Sequence, residues 1–327
     1  TRSMRQEIIN ILPNTLNGDY PPKIPEEVDK PLPPPTSGVV LAKPVVPEFI
    51  IVHQGSPNDS SAPNYKVPFK DYIKNVASCE IYSTWPETTI RANIFCIVSF
   101  TLNRIYTEWY RSKGKNFQIT SSTAYDHAFN YGRNIYDSIS VIVDEIFSTY
   151  VRRVGKKQPL LTQYCDGKSV KCPEWLSQWG SKYLGDQGKL PYEILQHYYG
   201  YDIELVTADK IEGIPESYPG YDLTVGSSGE PVRTIQEQLN RIAQNYPLIP
   251  KLGQYTDKVA ESVKVFQGVF SLPQTGVVDY ATWYKISDVY VGVSKIAELR
   301  SSCDKTLFVP PVMPNIGDER EIPKFYY

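Results

Sequence analysis

The chain has 327 residues, a net charge of -2 and a pI near 6.0. That length holds two domains with separate cores. The near-neutral balance excludes broad electrostatic attraction to nucleic acid or an anionic membrane, and no apolar run approaches a membrane-spanning length.

The chain opens TRSMRQEIIN, with neither a signal peptide nor an initiator methionine at its first position, as expected of a processed or truncated form. RQEIINILPNTL reads as a short helix or the remnant of a pro-segment. Residues 20–47 are dense in proline, which locks the backbone and removes donors, so they read as a semi-rigid linker or a strap. EFIIVHQG predicts a strand ending in a turn, and GSPNDSSAPN a loop. In PFKDYIKNVASCE, helical spacing puts Phe69, Tyr72, Ile73 and Val76 on one stripe. Thr84-Trp85-Pro86-Glu87 opens a second helix, with proline in its first turn. Apolar residues from Ile90 to Ile105 fill much of its circumference, predicting a deeply buried helix that ends at Gly114. NFQIT predicts a strand, and NIYDSISVIVDEIF a helix or a helix running into a strand. Val151 and residues 158–164 around Gly155 predict a hairpin. EWLSQWGSKYLGDQG and LPYEILQHYYG predict two helices split by Gly188 and Pro191.

Five cysteines stand at Cys79, Cys96, Cys165, Cys172 and Cys303. The spacing of Cys165 and Cys172 is too wide for one arm of a zinc knuckle, leaving a local disulfide or buried free thiols. His127 reads as a loop or surface histidine rather than a ligand. No metal and no cofactor is expected. The histidines are His53, His127 and His197, without a His-Glu-x-x-His pattern, which disfavours a metal-dependent peptidase.

The last third carries the most ordered pattern. Ser228 is placed to cap a helix bearing Val232, Ile235, Gln236 and Leu239 on one face. Val259, Val263 and Phe266 repeat the spacing, followed by Gln267. Asp279 is placed to cap a third helix with Trp283, Ile286, Val289 and Tyr290. Helices of about three to four turns do not persist alone in water, so these must pack together. The set Val-Arg-x-Ile-Gln-x-x-Leu, Val-x-x-Phe-Gln and Gly-Val-Val-Asp-x-x-Thr-Trp resembles the three-helix peptidoglycan-binding module of cell-wall lytic enzymes. It departs from that family at the turns, which read Leu252-Gly253-Gln254-Tyr255 and Gln274-Thr275-Gly276. The resemblance implies docking on wall glycan, and the 25 tyrosines and 5 tryptophans suit sugar-lining surfaces as well as ordinary core and rim positions.

Upstream, VPFKDYIKNVASCEIYSTWPETTIRANIFCIVSFTLNRIY and WLSQWGSKYLGDQGKLPYEILQHYYG resemble the sporulation protein D family of lytic transglycosylases. IRANIFCIVSF stands where that family has small residues. Together with the proline-rich lead and the C-terminal module, the chain is similar to clostridial spore cortex-lytic enzymes. That likeness implies an extracytoplasmic protein of the cortex or wall, cleaved from a precursor by a protease. It implies an α+β catalytic domain of mixed helices and antiparallel strands over 48–212, after an N-terminal segment 1–47. An all-α binding domain follows over 213–300, then an extended tail over 301–327. Glu80 inherits the role of catalytic acid, with Trp85, Tyr164, Asp166, Gln178 and Trp179 as substrate-binding candidates. Trp175 and Trp179 fall at helical spacing and read equally as core. One carboxyl suffices for transglycosylation, because the attacking hydroxyl belongs to the sugar being cleaved; a hydrolase usually needs two. Asp166 and Glu87 are the candidates for a second, and Glu87 is better explained as a first-turn acid of its helix. The rival readings are a wall-associated structural protein and an amidase or muramidase.

Overall fold

In the computed structural model, residues 41, 43–169, 172–243 and 253–294 are described. The expectations for RQEIINILPNTL, for most of the proline-rich strap, for Cys303 and for the tail lie outside them. The chain divides at Lys210 and Ile211 into two units.

The first unit begins with β1 (Val45–Val46), β2 (Phe49–His53) and β3 (Asn64–Pro68), then α1 (Phe69–Glu80) and α2 (Glu87–Tyr106). β4 (Ile119–Thr120), α3 (Asp137–Ile146) and β5 (Thr149–Arg153) follow. The unit closes with β6 (Tyr164–Cys165), β7 (Leu176–Ser177), α4 (Gln178–Asp186), α5 (Pro191–Tyr199), β8 (Ile203–Thr207) and β9 (Asp209–Lys210).

Helix α2 is the axis of this unit. Of its 20 residues, 17 are buried, so elements pack around its whole circumference. Its buried polar side chains fasten those neighbours. Asn93 Nδ2 donates to Ser181 Oγ at 2.9 Å, and Thr89 Oγ1 to the Ser181 carbonyl at 3.1 Å, holding α4. Ser99 Oγ accepts from Val151 N at 2.7 Å, and Asn103 Nδ2 donates to the Pro159 carbonyl at 2.8 Å. A Cβ on Gly185 would meet Thr89 Oγ1 at 2.0 Å, so glycine is what lets α4 approach this closely.

The strands make several small sheets rather than one. β2 pairs β3 antiparallel and β4 parallel, and β5 pairs β8 antiparallel. β6–β7 and β1–β9 are short parallel pairs. The expectation of antiparallel strands therefore holds for the two longest pairings and not for the short ones. A strand re-entered after a long excursion, as β4 is after α1 and α2, can return in parallel. The predicted hairpin at Gly155 is reduced to a bridge between Arg152 and Pro159, and β5 takes its full partner from β8, some fifty residues on. Helix α2 ends at Tyr106; Gly114, at φ 76, closes a separate 3-10 turn over Arg111–Lys113. Cys165 and Cys172 form a disulfide, and Cys79 and Cys96 are free and buried.

The second unit contains α6 (Glu230–Ile242), α7 (Asp257–Val269) and α8 (Tyr280–Val293) among its described residues. Val232, Ile235, Val259, Val263, Phe266, Trp283 and Ile286 form its core. Asp279 caps α8, accepting from Thr282 N at 2.8 Å. The N-cap of α6 is Gly229, not Ser228, which instead bridges to Gln254. The motif glutamines have structural work. Gln236 Oε1 accepts from Gly253 N at 2.6 Å while its Nε2 donates to the Gln254 carbonyl at 2.8 Å. Gln267 Oε1 accepts from Gly276 N at 2.9 Å while its Nε2 donates to the Val277 carbonyl at 3.0 Å. One construction is thus used twice: a buried glutamine pins a positive-φ glycine turn that feeds the next helix.

Candidate functional site

Glu80 is the last residue of α1, and Ile81 leaves the helix in extended conformation. A carboxylate there faces the negative end of the helix dipole and is disfavoured before any packing is considered. The side chain is also buried, and its pKa is pushed up to about 7 by loss of water. Two donors oppose that shift: Ala128 N donates to Oε1 at 2.8 Å and Gln178 Nε2 to Oε2 at 3.4 Å. The buried Tyr164 hydroxyl comes near enough to influence the carboxyl, but makes no hydrogen bond of ordinary geometry to it. No second carboxylate among the described residues contributes to the shift.

Ala128 is held in place by its neighbours. Asn75, five residues before Glu80 on α1, clamps Asn130 from both sides, donating to its carbonyl at 2.8 Å and accepting from its N–H at 3.1 Å. The Asp126 carboxylate is buried, accepting from Arg104 Nε at 2.8 Å, Tyr110 Oη at 2.7 Å, and Thr120 N and Oγ1 at 2.9 and 2.7 Å. Arg104 is itself buried, with the faces of Phe100 and Trp109 at 4.9 and 5.0 Å from its guanidinium carbon. Contrary to expectation, His127 is a core residue rather than a surface one. Its Nδ1 lies 3.1 Å from Tyr72 Oη, its ring packs on Phe100 and Tyr164, and burial holds it neutral with a pKa lowered to about 3. The segment 120–130 thus rides on α1 and α2 and presents one backbone N–H to Glu80.

The other donor arrives from the far end of the unit. Leu176 and Ser177 form β7 before α4 begins at Gln178, so the helix expected from residue 174 starts later and Trp175 lies outside it. Ser177 caps α4, accepting from Gly180 N at 2.9 Å. That start aims the buried Gln178 at Glu80 and puts Trp179 beside Tyr82 and Trp85, with ring centroids 6.0 and 5.1 Å away. Tyr82 and Trp85 are 5.4 Å apart, and Lys168 Nζ lies 4.2 Å over Trp179. Tyr82 and Trp179 are partly exposed, whereas Trp85 is buried.

Of the sequence candidates, Glu80, Gln178 and Tyr164 converge, and Trp85 and Trp179 form an aromatic cluster adjoining them. Asp166 does not join as an acid: its carboxylate accepts from Lys168 N and Ser169 N at 3.1 and 3.0 Å, and its carbonyl from Trp179 N at 3.1 Å. It shapes the turn closed by the disulfide. Glu87 pairs with Arg91 in the first turn of α2. Sequence reasoning missed Asn75, Asp126 and Ala128. A carboxylate and an arginine, Asp126 and Arg104, both in apolar surroundings, were the available signal. Ala128, contributing only its backbone, had none.

Among the described residues, no three His, Cys, Asp or Glu side chains gather as a metal-ion cluster, and no helix is long and apolar enough to cross a membrane. Comparison with known families matches residues 228–286 to the putative peptidoglycan binding domain. Comparison with curated proteins finds no match. The chain therefore carries a peptidoglycan-binding domain, which associates it with the cell wall.

Proposed function

We propose that the first unit cleaves the glycan of peptidoglycan as a lytic transglycosylase, with Glu80 as its acid and base. The observation that carries this reading is the buried Glu80 carboxyl, with its pKa raised to about 7 and held between a backbone N–H and a carboxamide. The likeness of its flanking sequences to the sporulation protein D family and the attached wall-binding domain support the same reading.

The chemistry requires a proton on the oxygen linking the muramyl and glucosaminyl rings. Protonated Glu80 donates it, the bond from that oxygen to the muramyl C1 breaks, and the glucosaminyl hydroxyl leaves. The muramyl 6-hydroxyl then attacks C1, and the Glu80 carboxylate takes its proton, returning to the starting state. No water is consumed, and the product is a 1,6-anhydromuramyl end. Ala128 N and Gln178 steady the carboxylate in the interval between donation and recovery. Tyr82 and Trp179 offer ring faces for the apolar faces of the sugars. Sequence likeness extends the proposal to spore cortex as the substrate and to release of the active form by a protease.

The test is Glu80→Gln, which keeps shape and Oε1 but carries no titratable proton. Release of soluble fragments from purified peptidoglycan sacculi should fall by at least about 100-fold, the usual range for loss of a general acid. Folding and retention on sacculi should persist. Full activity of Glu80→Gln would remove the assignment, and intact sacculi with the unmodified chain would favour a structural wall protein.

A further inference from the structure

The binding unit carries an aromatic surface that lies partly outside the matched family region. Trp283, in α8, is buried, and its indole Nε1 donates to the Glu216 carbonyl at 3.2 Å, tying down the segment that leads to Tyr218. The Tyr218 ring stands edge-on to Trp283 and to Tyr280, with centroids 6.1 and 5.4 Å apart. Tyr280 in turn packs at 4.8 Å on Tyr284, and Tyr280 is 40% exposed. The Tyr218 hydroxyl donates to Oδ1 of the exposed Asp222 at 2.7 Å, fixing the ring and setting that carboxylate at its edge. Tyr218 and Asp222 precede residue 228, where the family match begins, so this chain adds them to the module.

We propose that Tyr218 and Tyr280, with Asp222 at their edge, form a docking platform for the glycan strand of peptidoglycan. This rests on the wall-docking role of the matched domain but not on the cleavage assigned to Glu80. The ligand class follows from the chemistry of the surface. Hexosamine rings present apolar C–H faces that lie on aromatic rings, and hydroxyls at their edges that donate to a carboxylate. Rigid rings also lose little conformational freedom on binding. A stem peptide, by contrast, would be expected to meet cationic groups for its carboxylates, and this surface has acidic Asp222 at its rim.

The experiment is co-sedimentation of the full chain with purified sacculi, in the Glu80→Gln background so that the polymer stays intact. Tyr280→Ala and Tyr218→Ala should each raise the half-saturating concentration by about 10-fold, the effect of losing an aromatic anchor. Tyr218→Phe, which keeps the ring, should stay within about 3-fold. Tyr201→Ala, at an 84% exposed tyrosine of the first unit, should change nothing. Unchanged melting of Tyr280→Ala separates lost binding from lost folding. Glycan strands stripped of stem peptides should compete with sacculi for the parent chain. Tyr280→Ala binding like its parent would overturn the platform, as would stripped glycan that fails to compete. A parent that does not sediment at all would overturn wall docking itself.

Discussion

The two units solve the same problem, placing a polar side chain in a buried position, at very different ranges along the chain. In the second unit, Gln236 and Gln267 reach the turns at Gly253 and Gly276, 17 and 9 residues away. In the first, Glu80 meets Ala128 and Gln178 at separations of 48 and 98 residues. Short-range construction writes itself as a repeated pattern, because each helix and its next turn must carry their own complement. Long-range construction leaves no spacing to read. Hence Asp279 as a cap and the Val, Ile and Phe faces of α6 and α7 were readable from residues alone, while the Asp126–Arg104 anchor and the clamp at Asn75 were not. Glu80 itself was found through the likeness of its flanking sequence to a known family, and its burial could not be deduced from its position at a helix end.

Breaking the long-range anchor should have the largest effect. Asp126→Ala strands the buried guanidinium of Arg104 and frees the loop that presents Ala128, and should destabilise the first unit by about 3–5 kcal/mol in denaturant unfolding. A loss under 1 kcal/mol would show that the loop is held by other means.

Glu80 should reveal itself next, through pH. Its native pKa of about 7 lies above the ordinary 4.5, so the native state holds a proton that the unfolded state has released between those values. Stability from this group is therefore present below pH 4.5 and lost as pH rises toward 7. Glu80→Gln should match the parent at acid pH and exceed it by about 3 kcal/mol at neutral pH, as a shift of this size implies. Equal stability at both pH values would show that the carboxyl is solvated.

The local construction should be weaker but confined to its own unit. Gln267→Ala leaves Gly276 N and the Thr282 hydroxyl without their buried partner and should cost about 1–3 kcal/mol. Retention on sacculi should weaken with temperature in this variant, while cleavage of soluble glycan fragments stays at the parent rate. Equal loss of both would contradict the division of labour between the units.

The smallest effect should come from Gln178→Leu. Its carboxamide favours the charged form of Glu80, so its loss moves the carboxyl pKa upward. The alkaline limb of the pH–rate profile should shift to higher pH, with the maximum rate lowered about 10-fold as the recovered carboxylate loses a donor. A downward shift of that limb would remove Gln178 from the site.

The central claim is that a single carboxyl closes a sugar onto itself without water, and the products record this directly. Sacculi digested in H₂¹⁸O and analysed by mass spectrometry should yield 1,6-anhydromuramyl ends free of heavy oxygen. Reducing ends carrying ¹⁸O would mean that water, not the 6-hydroxyl, attacks C1, and would contradict the account.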